Sequence, residues 1–321
     1  MIPISKDLCT LGECFCIRKI LYIKIVFLIF NLLTPSFGVA ANKLNIAVIY
    51  PKSERVSKLF DTIIDGMQKH HDINLYSMAI NKETDTSDIK KWIDQYECNA
   101  IVALGKQGSQ FSRYLDLGVP LITGAHIIAQ PNQATVSLAA DPRQLFNKLK
   151  ELKQNVKRIF VVYNQSNTGW LMQQATRAAD ELQLDLIKLS VNNTRQVTVA
   201  FDNILQQANP GEDAVWLPLD PVIPTKVVFP ILLKFAWNNN LTVFSNNPMD
   251  VKKGALFAMY PDYFAMGRQL VELTLARINQ NGLAAPEASQ FLKIAVNRRT
   301  ALHLGIKLSR INALNFNLLY P

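Results

Sequence analysis

Short apolar runs alternate with longer amphipathic stretches along most of the chain. In the first half, three stretches place apolar side chains at helical spacing, and four shorter runs between them are rich in β-branched residues. The predicted helices cover residues 56–69, 87–96 and 110–117, and the predicted strands cover residues 45–50, 73–79, 100–104 and 119–123. Strands that alternate with longer helices predict βαβ units on a parallel sheet.

The same alternation repeats in the second half. Predicted strands cover residues 135–138, 158–163, 185–190, 214–217, 241–245, 255–260 and 291–297, and predicted helices cover residues 142–153, 170–182, 194–207, 225–238 and 261–279. Pro230 is expected to kink or divide its helix, because proline lacks an N–H group and crowds the preceding turn.

Two successive α/β halves predict two lobes, each with a doubly wound parallel sheet. The late elements are expected to cross back between the halves and tie them together. On this interpretation, lobe 1 comprises residues 41–138 with 259–285, and lobe 2 comprises residues 139–258 with 286–321.

The first 40 residues have the pattern of a secretory signal peptide. A stretch with a basic excess precedes the apolar run 25–33, and small residues follow it up to the predicted cleavage after Ala40 or Ala41. The apolar run is shorter than the roughly 20 residues that span a bilayer, although an uncleaved anchor remains an alternative. The sequence therefore predicts a periplasmic protein.

Cysteine positions agree with export. Three of the four cysteines precede the apolar run, and none follows it where a lipid-anchor cysteine would lie, so a lipoprotein is not expected. After cleavage only Cys98 would remain, which excludes an intrachain disulfide and is typical of a small core residue.

The net charge of +9 raises the question of a nucleic-acid partner. The basic residues are dispersed, with no run of five or more and no interleaved aromatic residues. Nucleic-acid binders usually concentrate their charge on one face, so no such partner is expected.

Motifs for catalysis and for metal binding are missing from the sequence. Residues 105–109 read Gly-Lys-Gln-Gly-Ser, but the spacing differs from that of a phosphate-binding loop, and a strand-to-helix turn is the expected structure. No histidine or cysteine pair has metal-ligand spacing, and no nucleophile, base and orienting group can be assigned. We expect no enzyme activity, no metal and no cofactor.

Polar residues instead gather where predicted strands end. Ligands of open α/β sheets bind at the carboxyl ends of the strands, so these positions predict a small-molecule site. The candidate ligand-binding residues are Tyr50, Ser53, Gly105, Gln107, Ser109, His126, Asn164, Ser166, Asn167, Thr168, Trp170, Asp220 and Asn246. The alternative role for many of them is helix N-capping, which favours the same residue types.

This composition suits a carboxylate or a zwitterion. Free N–H groups at helix N-termini bind anions, and Asp220 could accept a hydrogen bond from a ligand amino group. Trp170 or Tyr50 could stack on an apolar portion of the ligand, whereas the alternative for Trp170 is packing on the first helical turn.

Several ordered motifs together resemble one family. They are residues 103–105, 151–159, 162–167, the Leu-Pro-Leu-Asp-Pro segment at 217–221, residues 254–269 and residues 296–305. On these motifs the chain resembles the ABC-transporter substrate-binding proteins of the tryptophan/tyrosine type. The resemblance implies the type I periplasmic-binding fold, α/β with two doubly wound parallel-sheet lobes joined by a hinge that closes on ligand.

The resemblance also implies a role and a partner. The chain is expected to be a monomer that delivers a small amino-acid-like or other polar solute to a membrane permease. Residues 124–130 lack the family's usual Asp-Pro pair, and residues 135–138 lack its Gly-Val-Ser crossover, so aromatic amino-acid specificity does not carry over. These departures leave open a sensor that reports to a membrane signalling protein.

Overall fold

Buried strands and amphipathic helices alternate along the chain in a computed structural model, which describes residues 43–53, 57–112, 118–130, 132–279, 284–307, 309 and 315–321. The predicted signal peptide lies outside these residues. No helix within the described ranges is long and apolar enough to cross a membrane.

Within those ranges the strands are β1 Leu44–Pro51, β2 Ile73–Ile80, β3 Ala100–Leu104, β4 Leu121–His126, β5 Thr135–Ala140, β6 Arg158–Tyr163, β7 Asp185–Ser190, β8 Asp213–Leu217, β9 Thr242–Ser245, β10 Phe257–Pro261, β11 Pro286–Ser289, β12 Leu292–Asn297 and β13 Leu318–Tyr320. The helices are α1 Ser57–Gln68, α2 Thr86–Gln95, α3 Gly105–Ser112, α4 Pro142–Leu152, α5 Gln165–Glu181, α6 Thr194–Gln207, α7 Thr225–Asn239, α8 Pro248–Lys253, α9 Tyr263–Ile278 and α10 Arg298–His303.

The described strands form two sheets. The first has the order β11-β5-β4-β3-β1-β2, and its neighbouring strands are all parallel. The second has the order β13-β12-β10-β9-β8-β6-β7, in which β12 alone runs antiparallel to its neighbour β10 within the described ranges. Each sheet forms the centre of one lobe.

Both sheets are covered on both faces, and their central strands contain runs of buried apolar residues. In β1, Ile46 and Val48 join one core cluster, while Ala47 and Ile49 join another on the opposite face. In β6, alternate residues likewise divide between two clusters. Near-continuous apolar strands of this kind are typical of parallel sheets with helices on both sides.

The chain passes between the sheets more than once. β5 leads into α4, β10 leads into α9, and β11 leads into β12, so each of these connections joins the two lobes. Asp141 lies at the first crossing, where its backbone N–H donates to the Ser289 carbonyl at the third.

Sheet membership differs by a few residues from the predicted lobe boundaries. β10 extends to Pro261 in the second sheet, although residues from 259 onward were expected in lobe 1. β11 pairs with β5 in the first sheet, although residues from 286 onward were expected in lobe 2. The Pro-Glu-Ala-Ser sequence of β11 has no β-branched residue, which explains why the pattern did not predict this strand.

Three helix predictions need correction. α3 begins at Gly105, so residues 105–109 form helix and not the expected turn. α5 begins at Gln165, ahead of the predicted start at residue 170, because Asn164 caps it. α7 continues through Pro230, so the helix is not divided there, while a kink at Pro230 stays a prediction.

Candidate functional site

The start of α5 follows the carboxyl end of β6 and, with its N-cap, carries five of the thirteen predicted ligand-binding residues. Asn164 is its N-cap, and the side-chain oxygen accepts from the backbone N–H groups of Ser166 at 3.0 Å and Asn167 at 3.2 Å. The Asn164 amide group donates to the Val191 carbonyl at 2.8 Å. Asn164 therefore has the capping role that the sequence left as the alternative.

Asp220, which follows β8, binds the same helix turn. One carboxylate oxygen accepts from the Asn164 backbone N–H at 2.8 Å and from the Thr168 hydroxyl at 2.5 Å. The other accepts from the Asn167 amide at 2.9 Å and from the Val222 backbone N–H at 3.0 Å. These four donors fill the acceptor positions of a buried carboxylate, so Asp220 positions the turn.

Asn246 follows β9 and is 1% exposed. Its side-chain oxygen accepts from the Trp216 indole N–H at 2.8 Å, while its amide nitrogen has no partner among the described residues. The nearby Asp250 carboxyl accepts from the Ser245 hydroxyl, and burial raises its pKa. A buried unpaired donor at a strand end is costly unless a ligand or water completes it.

The candidates at the ends of β1 and β3 belong to the first lobe. Tyr50 packs beside Phe60, with ring centroids 6.2 Å apart, and Ser53 is half-buried. Gly105 has a φ of +69°, and a Cβ there would lie 2.8 Å from Phe60, so the position requires glycine. Gln107 is half-buried and Ser109 is buried on α3.

His126 is the last residue of β4, as expected from its place at a carboxyl end. The pairing of β4 with β5 shifts register there, and Ala125 has a φ of +56°. The Ser137 hydroxyl donates to the His126 carbonyl at 3.0 Å and holds this bulge against β5. Bulges of this kind redirect side chains at sheet rims.

A cavity of about 500 Å³ lies between the two lobes. One side of it is lined by Gln130, which follows β4, and by Pro286, the first residue of β11. Ser166, Trp170 and Arg177, which follow one face of α5, line the other. The Trp170 indole nitrogen is buried and has no hydrogen-bond partner within the described ranges.

The structure thus brings the predicted residues together in two groups. Asn164, Asn167 and Thr168 gather around Asp220, whereas Ser166 and Trp170 line the cavity. The other predicted residues do not line this cavity; they are Tyr50, Ser53, Gly105, Gln107, Ser109, His126 and Asn246.

The sequence did not identify the rest of the cavity wall. The polar cavity residues that were not predicted are Gln130, Gln165, Gln173, Gln174 and Arg177. The spacing of residues 166, 170, 173 and 177 places them on one helix face, and this signal was available once α5 was taken to begin at Gln165.

The sequence profile described as "ABC transporter substrate binding protein" matches residues 117–313, more than half of the chain. The chain belongs to this family. The predicted family membership is confirmed, and the match covers α5, Asp220, Asn246 and the crossings between the sheets. No curated protein sequence matches this family member significantly.

Solved structures share its fold. A ligand-free, open substrate-binding protein with adhesive properties from Clostridium difficile is 17% identical, with a TM-score of 0.57 over 87% of this chain and 99% of that chain. An ABC domain in complex with L-Trp from Streptococcus pneumonia is also 17% identical, with a TM-score of 0.51 over 86% of this chain and 99% of that one. The predicted type I periplasmic-binding fold, with two parallel-dominated sheets, is confirmed.

Proposed function

We propose that this substrate-binding protein captures a small polar, amino-acid-like solute between its lobes and delivers it to the membrane permease of an ABC importer. The observation that carries the proposal is the cavity that both lobes line. A solute held there would contact both lobes at once, which is the condition for hinge closure on a ligand. Its volume of about 500 Å³ is in the ordinary range for small-molecule sites.

The cavity wall supports a polar solute. Gln130, Gln173 and Ser166 offer amide and hydroxyl groups that can donate or accept hydrogen bonds. The Trp170 indole N–H is a buried donor without a protein partner in the described structure, and a ligand oxygen would complete it. Arg177 forms no ion pair with any described carboxylate, so it suits an anionic group such as a carboxylate.

The proposal includes export. The basic and apolar pattern of residues 1–40 supports a cleaved signal peptide, and a periplasmic location places the protein beside its permease. The proposed role is capture and release of the solute without chemical turnover.

A binding experiment tests the proposal. Protein purified without refolding is screened by thermal shift against amino acids and other small polar solutes, and mass spectrometry identifies any solute that copurifies. We expect a saturable rise in melting temperature with at least one solute.

Two variants place the bound solute in the cavity. Trp170→Phe keeps the ring but removes the N–H, and we expect affinity to fall about tenfold. Arg177→Ala should weaken an anionic solute about fivefold, whereas Arg195→Ala, at an exposed position on α6, should leave affinity unchanged. If no solute class raises the melting temperature, or if the Arg177 and Arg195 variants behave alike, the proposed site is wrong.

A further inference from the structure

Exposed apolar side chains concentrate on three helices of the second lobe. Large apolar residues on α7, α8 and α10 are between 37% and 59% exposed, and Trp237 is among them. They share this surface with exposed basic residues. We define the α7–α8–α10 face by Val227, Ile231, Lys234, Trp237, Met249, Lys252, Lys253, Arg298, Arg299 and Leu302.

Contacts between the helices make this face continuous. The Arg299 guanidinium lies 4.8 Å from the centroid of the Trp237 ring, and the His303 ring stacks on Trp237 with centroids 3.8 Å apart. A His303 ring nitrogen also lies 2.8 Å from the Trp237 carbonyl oxygen. Lys253 lies 5.3 Å from the Phe229 ring, so α8 and α10 both contact α7.

The basic side chains of the face form no ion pairs within the described residues. The five basic residues of the face are exposed, and none of them forms an ion pair with a described carboxylate. They are Lys234, Lys252, Lys253, Arg298 and Arg299. Elsewhere in the same lobe, basic side chains do pair with carboxylates across β6 and β8.

Within the three helices a single acidic residue offsets part of this charge, because the Asp250 carboxylate is attracted to Lys253. Asp250 is the one acidic residue of α7, α8 and α10, and it is 4% exposed. Its carboxylate faces inward, where it accepts from the Ser245 hydroxyl at 2.7 Å. The three helices therefore expose basic and apolar side chains on this face and no carboxylate.

The centre of the face lies far from the carboxyl ends of the strands. β12 runs antiparallel to β10, so α10 begins at the edge of the sheet where the parallel strands start. Trp237 is near the end of α7, which follows β8 and returns to that same edge. This centre is therefore separate from the cavity between the lobes, whereas Val227 and Met249, at the starts of α7 and α8, lie towards the carboxyl ends of β8 and β9. None of the residues that define the face lines that cavity, so the face does not depend on the proposed solute.

We propose that the α7–α8–α10 face binds an anionic phospholipid surface. Basic residues are attracted to lipid phosphates, tryptophan prefers the headgroup level, and exposed apolar side chains insert beside it. Tryptophan, methionine and arginine occur in protein interfaces as well, whereas lysine, which supplies three of the five basic residues, is depleted there. The composition therefore favours a membrane surface over an acidic protein.

Vesicle binding tests the charge of the face. The mature chain left by the proposed cleavage is mixed with vesicles of phosphatidylcholine alone or with phosphatidylglycerol added, and bound protein is measured by flotation. We expect binding to the anionic vesicles and a loss of about tenfold or more in the Lys252→Glu/Arg298→Glu double variant. Neither side chain has a described contact, so folding should be preserved. Lys82→Glu/Lys90→Glu, on the first lobe, changes the net charge equally and should bind like the unchanged protein.

Fluorescence tests insertion of the apolar side chains. Vesicles with brominated phosphatidylglycerol should quench the fluorescence of Trp237, and this quenching should disappear in Trp237→Phe. The test remains valid if another segment also binds the chain to the vesicle. Ile231→Ser should reduce the quenching, whereas Ile187→Ser, an exposed isoleucine on β7, should not.

Three results would overturn the proposal. The first is equal binding to neutral and anionic vesicles, and the second is equal loss in the two double charge variants. The third is a protein that does not bind the vesicles but binds polyglutamate, and that loses this binding in the Lys252→Glu/Arg298→Glu variant. This result would identify an acidic protein as the partner instead.

Discussion

Asp220 lies after a strand end, as the sequence predicted, and its carboxylate is bound by groups of the protein itself. The sequence placed it at a strand end, where its carboxylate could receive a ligand amino group. In the structure its oxygens accept from Asn164, Asn167, Thr168 and Val222, all within the protein. The contact with a ligand stays a prediction, while the internal network is directly visible.

The Asp220 network leads to a stability prediction. Asp220→Asn replaces one acceptor oxygen by a donor that would face two existing donors, and we expect a loss of about 3 kcal/mol in the free energy of unfolding. Asp202→Asn, at an exposed position on α6, should change it by less than about 0.5 kcal/mol. Urea denaturation measures both, and similar losses in the two variants would show that the network does not stabilise the lobe.

Only part of the cavity wall could be predicted from the sequence. Ser166 and Trp170 were predicted, and they line the cavity because they share a face of α5. Gln130 and Pro286 come from segments far apart in sequence, and only the pairing of β11 with β5 brings their neighbourhoods together. No local pattern contains that information.

At the scale of elements, the contact between α1 and α9 depends on two glycines. A Cβ at Gly66 would lie 1.9 Å from the Phe264 carbonyl oxygen, and a Cβ at Gly267 would lie 2.1 Å from the Ile63 carbonyl oxygen. The two backbones therefore approach each other more closely than any larger residue permits. α9 thereby packs on the first lobe, although β10, which precedes it, lies in the second sheet.

Gly267→Ala should separate these helices. Alanine favours helix by about 1 kcal/mol over glycine, but the clash with backbone atoms costs more, and we expect a net loss of about 2 kcal/mol or more. Glu272→Ala introduces alanine at an exposed position of the same helix and should be nearly neutral. Thermal and urea unfolding compare the two, and a stabilised Gly267→Ala protein would contradict the described packing.

Most elements were predictable because their apolar periodicity is strong. β3 has five buried residues in succession, and α1 buries Phe60, Ile63, Ile64 and Met67 on one face. The short elements β11, β13, α8 and α10 were missed, because they have three to six residues each and little periodicity. Long-range pairing and capping form them, and neither can be inferred from local sequence.

At the scale of the whole molecule, solute binding should change the shape of the protein. A solute in the cavity contacts both lobes, so we expect the radius of gyration in solution X-ray scattering to fall when the solute saturates the protein. Arg177→Ala, at the same concentration of an anionic solute, should show a smaller change. A thermal shift without any change in scattering would indicate a site on one lobe only.

The three described crossings between the sheets also bear on the order in which the chain is made. The edge strand of the first sheet, Pro286–Ser289, and the antiparallel strand of the second, Leu292–Asn297, both lie in the last 40 residues. Neither sheet can be completed until nearly all of the polypeptide has been synthesised. For a chain that is exported, this delay is an advantage, since a translocation channel accepts a polypeptide that has not yet folded. It also means that a premature stop shortly before residue 286 would remove strands from both sheets, leaving neither lobe as an intact fragment.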